Sequence, residues 1–188
     1  GKVNLMLDNM IASGTAKPMI VVMPYGNPLA KIAEQTGKDK PADVMSRDGD
    51  DALRRMKLFE TDLVSHVIPY IEKNYRTINN RDNRAIGGFS RGGGQTLRTA
   101  FNNVDKFAYV CSYASYISPA EMDKSFTNII SNPAKTNKDF KLLWSGIGTD
   151  DFLYKGTVEF EDYLKTKKIN FKSYVTDGGG DSDDDVNI

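Results

Sequence analysis

Arg84-Ala-Ile-Gly-Gly-Phe-Ser-Arg-Gly-Gly-Gly-Gln-Thr-Leu-Arg98 reads as a buried strand that turns through a glycine-tight corner into a helix. Within it, Gly88-Phe-Ser-Arg-Gly92 has the G-x-S-x-G spacing. Glycines at the two ends remove Cβ atoms where strand and helix pass closely, so Ser90 can hold a strained, exposed turn. The serine hydroxyl then projects from the carboxyl end of the strand. A helix starting at Arg91 aims the backbone N–H of that residue, with the positive end of the helix dipole, at a charge forming beside Ser90. Such a corner suits an activated nucleophile. The alternative role for Ser90 is an ordinary helix cap.

Four other apolar runs fit the same alternation. Residues 18–24, 107–113, 140–146 and 171–176 read as strands, and the segments between them carry helical spacing. With 84–89 they make five strands, which calls for a parallel sheet with helices on both faces, a three-layer α/β/α arrangement. Met19 to Met23, closed by Pro18 and Pro24, reads as a fully buried strand. Val3, Met6, Leu7, Met10 and Ile11 recur at helical steps before Gly14, which predicts an amphipathic helix covering the sheet. Leu53, Met56, Phe59, Leu63, Val67 and Ile71 predict a long helix over 52–75. Ser118-Pro-Ala-Glu121 has capping-box spacing with proline at the first helical position, predicting a helix to about Ile130. A further helix is expected over about 152–165.

Length and composition bound the chemistry. The 188 residues suit one domain over 1–180, followed by an acidic tail, 181–188, expected to be disordered. Twenty-five basic residues balance 25 acidic ones, so there is no basic footprint for nucleic acid or an anionic membrane. No apolar run approaches membrane-spanning length. A single cysteine, Cys111, excludes an internal disulfide and reads as a small buried hydrophobe. The alternating Asp181, Asp183 and Asp185 lack the loop glycine and bidentate glutamate of a calcium loop, so no metal or other cofactor is expected. Residues 35–52 form a polar excursion, read as a solvated insertion ahead of the alternative of a mobile loop over the site's mouth.

Candidate site residues follow from the sheet's carboxyl edge, where ligands of open α/β sheets bind. Tyr25 and Asn27 leave the end of the first expected strand and are candidate substrate contacts. Asp150 and Asp151 leave the end of 140–146, on the same edge as Ser90, where an acid that orients a catalytic base would stand; one of them could instead cap the next helix. The only histidine, His66, falls inside the long helix and reads as a structural residue, outside any cleft with Ser90.

The elbow Arg81-Asp-Asn-Arg-Ala-Ile-Gly-Gly-Phe-Ser-Arg-Gly-Gly-Gly-Gln-Thr-Leu97 resembles that of the esterase D-like branch of the α/β-hydrolases, which holds the bacterial feruloyl and acetyl-xylan esterases. Lys17-Pro-Met-Ile-Val-Val-Met-Pro24, Asp62-Leu-Val-Ser-His-Val-Ile-Pro-Tyr-Ile-Glu-Lys-Asn-Tyr75, Asp105-Lys-Phe-Ala-Tyr-Val110 and Leu142-Leu-Trp-Ser-Gly-Ile-Gly-Thr-Asp-Asp151 resemble the family in the same order. The match runs from about residue 4 to about residue 180. The resemblance implies a secreted or periplasmic serine carboxylic-ester hydrolase acting on small-molecule or polysaccharide esters of plant cell walls. It makes Ser90 the nucleophile, the Arg91 N–H part of the oxyanion hole and Asp151 the orienting acid. An esterase for a siderophore ester or a thioester, or a non-catalytic carbohydrate- or partner-binding relative, shares the same implications for the fold.

Three departures stand out. Arg91 replaces the family's usual methionine, which leaves the backbone N–H in place. After the last strand the family reads Gly-Gly-His and an aromatic tail, whereas here the chain reads Thr176-Asp-Gly-Gly-Gly-Asp-Ser-Asp-Asp-Asp-Val-Asn-Ile188. The histidine's place falls to Gly180 or Asp181, so activity is expected to be impaired. The family's earlier strands and the His-Gly-rich loop that supplies the second oxyanion N–H would precede Gly1. The sequence is therefore expected to be incomplete at both ends, the tail being consistent with a register loss. Residues 18–24 are then expected either to pair directly with 84–89 or to stand apart, because the strand that separates them in relatives is not in the sequence.

Overall fold

A computed structural model describes residues 2–28 and 50–179. Four strands form one parallel sheet in sequential order: β1 (Ala85–Phe89), β2 (Tyr109–Tyr113), β3 (Leu142–Gly148) and β4 (Lys172–Thr176). Ile86, Val110 and Leu143 share one row across the first three strands, and their side chains point to one face. That face holds the core. Helices α2 (Asp50–Asp62), α4 (Arg91–Asn102) and α8 (Tyr154–Thr166) pack over it with the short helices α5 (Pro119–Ser125), α6 (Thr127–Ile130) and α7 (Pro133–Asp139). Phe101 is fully buried at its centre, its ring 5.7 Å from Phe126 and 5.8 Å from Phe140. The arrangement is that of the α/β-hydrolase-type three-layer α/β fold.

The strand predicted over 18–24 does not form. Its residues are extended but join no ladder, and the side chains of Met19 through Met23 are 40–77% exposed. β1 is the sheet edge and bonds only β2, so this apolar run stands apart. Apolar, β-branched residues favour a strand only where a neighbour accepts the backbone bonds. Helix α1 (Val3–Ala12) forms as predicted, with Gly14 at φ 74° ending it, yet none of its residues is buried. It does not cover the sheet. Cys111 is half-buried rather than buried, and desolvation pushes its thiol pKa up.

The long helix over 52–75 is continuous but irregular. Between α2 and α3 (Ile68–Asn74) the turn Leu63–Val67 widens into a π-helix. Pro69 explains it: proline has no N–H for the Ser65 carbonyl and its ring would collide with that carbonyl, and a widened turn relieves both. His66 lies on this turn and is exposed. The expected helix to Ile130 breaks at Phe126, where the backbone leaves helical values so that the ring reaches the core. Ser118 Oγ accepts from Glu121 N–H at 3.2 Å, the expected N-cap bond.

Two arginines fasten the far end of the sheet. Arg81 donates to the carbonyls of Val104, Phe107 and Asp139, joining the connections before β2 and β3. Arg84 pairs with Glu72 and donates to the Lys106 carbonyl at 2.7 Å, tying α3 to β1. The polar excursion expected over 35–52, as far as residue 49, and the acidic tail lie outside the described residues.

Candidate active site

Ser90 stands between β1 and α4 at φ 53° and ψ −118°, a conformation that costs about 1–3 kcal/mol for a non-glycine residue. Backbone bonds hold it there. The Ser90 N–H donates to the Tyr113 carbonyl at 2.8 Å, and the Ser90 carbonyl accepts from the Gly94 N–H at 3.1 Å. The next strand ends the same way: Ala114, at φ 47°, donates to the Gly146 carbonyl at 2.7 Å. Beyond it, the Thr149 N–H donates to the Thr176 carbonyl at 3.0 Å. Each strand end is thus bound to its neighbour.

Tight packing at the elbow requires two glycines, and one differs from the sequence reading. A Cβ on Gly88 would stand 2.3 Å from the Gly92 carbonyl oxygen, so this position must lack one. A Cβ on Gly92 would meet nothing within 4 Å, whereas one on Gly93 would lie 2.7 Å from Ser115 Cβ and 2.8 Å from the Tyr113 oxygen. Gly93, not Gly92, lets α4 approach β2. Gly93→Ala should therefore cost about 1–3 kcal/mol by overpacking. Gly92→Ala should be neutral or stabilising by up to about 1 kcal/mol from helix propensity. Thermal melting of the two variants separates them, and equal melting points would refute the assignment.

Ser90 opens into a cavity of about 370 Å³, within the range of ligand pockets. Arg91 and Gln95 from α4 line it, with Arg55 from α2, and Arg98 paired to Glu121. The pair is bidentate, Arg98 Nε to Glu121 Oε1 at 2.8 Å and Nη2 to Oε2 at 2.6 Å, and it joins α4 to α5. Gln95, almost fully buried, donates to the Gly26 carbonyl at 2.7 Å and anchors the loop after residue 24 beside the cavity. Tyr25 and Asn27 do not line the cavity; Tyr25 is exposed. As the first residue of α4, Arg91 has a backbone N–H without an intrahelical acceptor, next to Ser90.

The two aspartates part ways. Asp151 is buried, and its Oδ1 accepts from the Leu153 N–H at 2.7 Å at the start of α8. Asp150 is exposed beside the chain leaving β4: its N–H donates to the Gly178 carbonyl at 3.4 Å, while the Gly178 N–H donates to Thr149 Oγ1 at 3.0 Å. A Cβ on Gly148 would lie 1.7 Å from the Gly179 oxygen, so this crossing needs glycine. The segment after β4 is thereby brought against the loop of both aspartates. His66 does not line the cavity. Sequence reasoning missed Arg55, Gln95, Arg98 and Glu121, whose meeting depends on contacts between distant elements and leaves no local motif.

A 29%-identical match over 171 residues joins the chain to an endo-1,4-beta-xylanase/feruloyl esterase of Xylanibacter ruminicola, covering 84% of this chain and 21% of that protein. An esterase of Mycobacterium tuberculosis is 28% identical over 121 residues, covering 61% of this chain and 21% of the relative. The chain spans about a fifth of the length of both. Among solved structures, the CE1 ferulic acid esterase of Anaeromyces mucronatus in complex with ferulic acid superposes with a TM-score of 0.69 at 22% identity, covering 92% of this chain and 62% of that one. Another ferulic acid esterase gives 0.63 at 23% identity, covering 96% and 70%. The Esterase family model matches residues 1–184, nearly the whole chain, and the protein belongs to that family.

Proposed function

We propose that this chain is the serine-bearing part of a carboxylic-ester hydrolase of the feruloyl or acetyl-xylan esterase type, acting outside the cell on plant cell-wall esters. The observation that carries it is Ser90, held at φ 53° on a strand-to-helix corner and opening into a cavity. In this reading the Ser90 hydroxyl attacks the ester carbonyl, forming the acyl bond as the alcohol departs. The Arg91 N–H donates to the oxyanion, and Asp151 orients a base. Water then releases the acid. Names of relatives support the substrate class: one is a xylanase/feruloyl esterase, and another was solved with ferulic acid.

The base is the exception. His66 is the chain's one histidine and lies on the exposed π turn, away from the cavity lining. Removing a triad member leaves only the contribution of binding and the oxyanion hole, roughly 10³ to 10⁴ over water. Assayed on methyl ferulate and a small aryl acetate, the chain should turn over orders of magnitude more slowly than a complete relative, and Ser90→Ala should change little. Robust turnover that survives Ser90→Ala would overturn the serine-esterase reading. The same missing base favours a second reading, a carbohydrate-binding relative without catalysis, under which feruloylated xylan oligosaccharides bind but no added histidine restores turnover.

A further inference from the structure

The cavity beside Ser90 carries an unusual concentration of cations. Arg55, Arg91 and Arg98 line it against one carboxylate, Glu121. Glu121 is committed to Arg98, whose remaining Nη1 donates to the Gly94 carbonyl at 3.2 Å. Arg55 is only 5% exposed and has contacts of its own. Asp151 is buried and turned to the Leu153 N–H. Arg91 is different: it is exposed at the cavity wall, and among the described residues it has no carboxylate partner.

Its placement costs stability. Arg91 opens α4, whose first turn holds no acidic residue, so a cation sits at the positive end of the helix dipole with nothing to offset it. A side chain that breaks a local rule without a compensating contact is expected at a functional position. Its guanidinium forks match a carboxylate bidentately, which a point charge or a thioether could not do. Arg91 also follows the nucleophile directly. Whatever acid becomes attached to Ser90 Oγ, its acyl group lies beside Arg91, whereas the alcohol leaves.

We propose that Arg91 selects esters of an acid that carries a second, free carboxylate, so that the preferred ligand is the half-ester of a dicarboxylic acid. The inference rests only on the serine-esterase reading of Ser90 and replaces the feruloyl or acetyl group, which carries no second carboxylate, with an anionic acyl group. The Arg91 guanidinium holds the free carboxylate while the ester carbonyl faces the Ser90 hydroxyl and the Arg91 N–H. No turnover is needed for this recognition, so it is testable on the chain as it stands.

The test is a titration followed by amide chemical shifts in ¹⁵N-labelled protein, with monomethyl phthalate, an anion at neutral pH, against neutral dimethyl phthalate. Both should move the Ser90, Arg91 and Gly92 amides, with the anion binding at least about tenfold tighter, equivalent to about 1.4 kcal/mol. That preference should collapse in Arg91→Met, weaken in Arg91→Lys, which keeps the charge and loses the bidentate fork, and shrink near 1 M salt, where the screening length falls to about 3 Å. Equal binding of the two esters, or a preference that survives Arg91→Met, overturns the charge selection while leaving the ester site intact. If neither phthalate ester moves the amides around Ser90 while methyl ferulate does, the selection falls and the esterase reading stands; if methyl ferulate also leaves them unmoved, the esterase reading falls as well. Because residue 91 is exposed, these substitutions leave the core unchanged.

Discussion

A histidine placed after Gly179, as Gly180→His or Asp181→His, should raise Ser90-dependent hydrolysis of methyl ferulate and of a small aryl acetate by about 10²- to 10⁴-fold, the usual contribution of a positioned general base. The geometry around residues 176–179 motivates the choice of position. Thr176 and Gly178 are bonded to Thr149 and Asp150, and the Gly179 carbonyl packs on Gly148, so the chain leaving β4 meets the acid loop. A histidine one or two residues further on would follow directly from the segment held against the loop of both aspartates. Neutral serine is a weak nucleophile without such a partner. In the histidine-bearing background Ser90→Ala should return the rate to that of the parent chain, and Asp151→Asn should lower it by disturbing the imidazole's tautomer. No gain from either histidine, with substrate binding retained, would favour the non-catalytic reading; a gain untouched by Ser90→Ala would mean that the new imidazole acts alone.

Phe101→Ala should produce the largest loss of stability of any single truncation. The side chain is fully buried and touches the rings of Phe126 and Phe140, both from the long connection between β2 and β3. Truncations of buried phenylalanine cost about 3–5 kcal/mol, a large share of a net stability of about 5–15 kcal/mol. For a chain of this length the melting point should fall by on the order of 10 °C. Ile117→Val, at an equally buried position, removes one methylene and should cost only about 0.5–1.5 kcal/mol. Thermal unfolding of both variants checks the pair. A Phe101→Ala protein melting within about 2 °C of the parent would show that α5 to α7 are not held by this aromatic contact.

The elbow was legible because its chemistry is local: Gly88, Ser90 and the onset of α4 are consecutive, and few backbones satisfy that order. Four strands were legible for a similar reason, as short apolar runs bounded by polar turns. Residues 18–24 carried the same composition and did not become a strand, since pairing is decided by what lies alongside and not by the residues themselves. The burial expected of α1 failed on the same point. Ser90 and Arg91, which spacing and family likeness put at the elbow, line the cavity, whereas Asp151, expected to face the same cleft, is buried and outside the lining. The cavity's other walls were not legible. Arg98 and Glu121 are 23 residues apart, and Gln95 reaches Gly26 across 69, so only the folded chain reveals them. Gly93 was missed because the need for a bare Cα there comes from Ser115 and Tyr113, not from the motif.

The bonds from Ser90 to Tyr113, from Ala114 to Gly146 and from Thr149 to Thr176 act as a seam along the top of the sheet. All are main-chain contacts, so the spacing between Ser90 and the loop of Asp150 and Asp151 is independent of most side-chain identities at the rim. A substitution in the cavity wall, such as one at position 91, should therefore leave the placement of Ser90 unchanged.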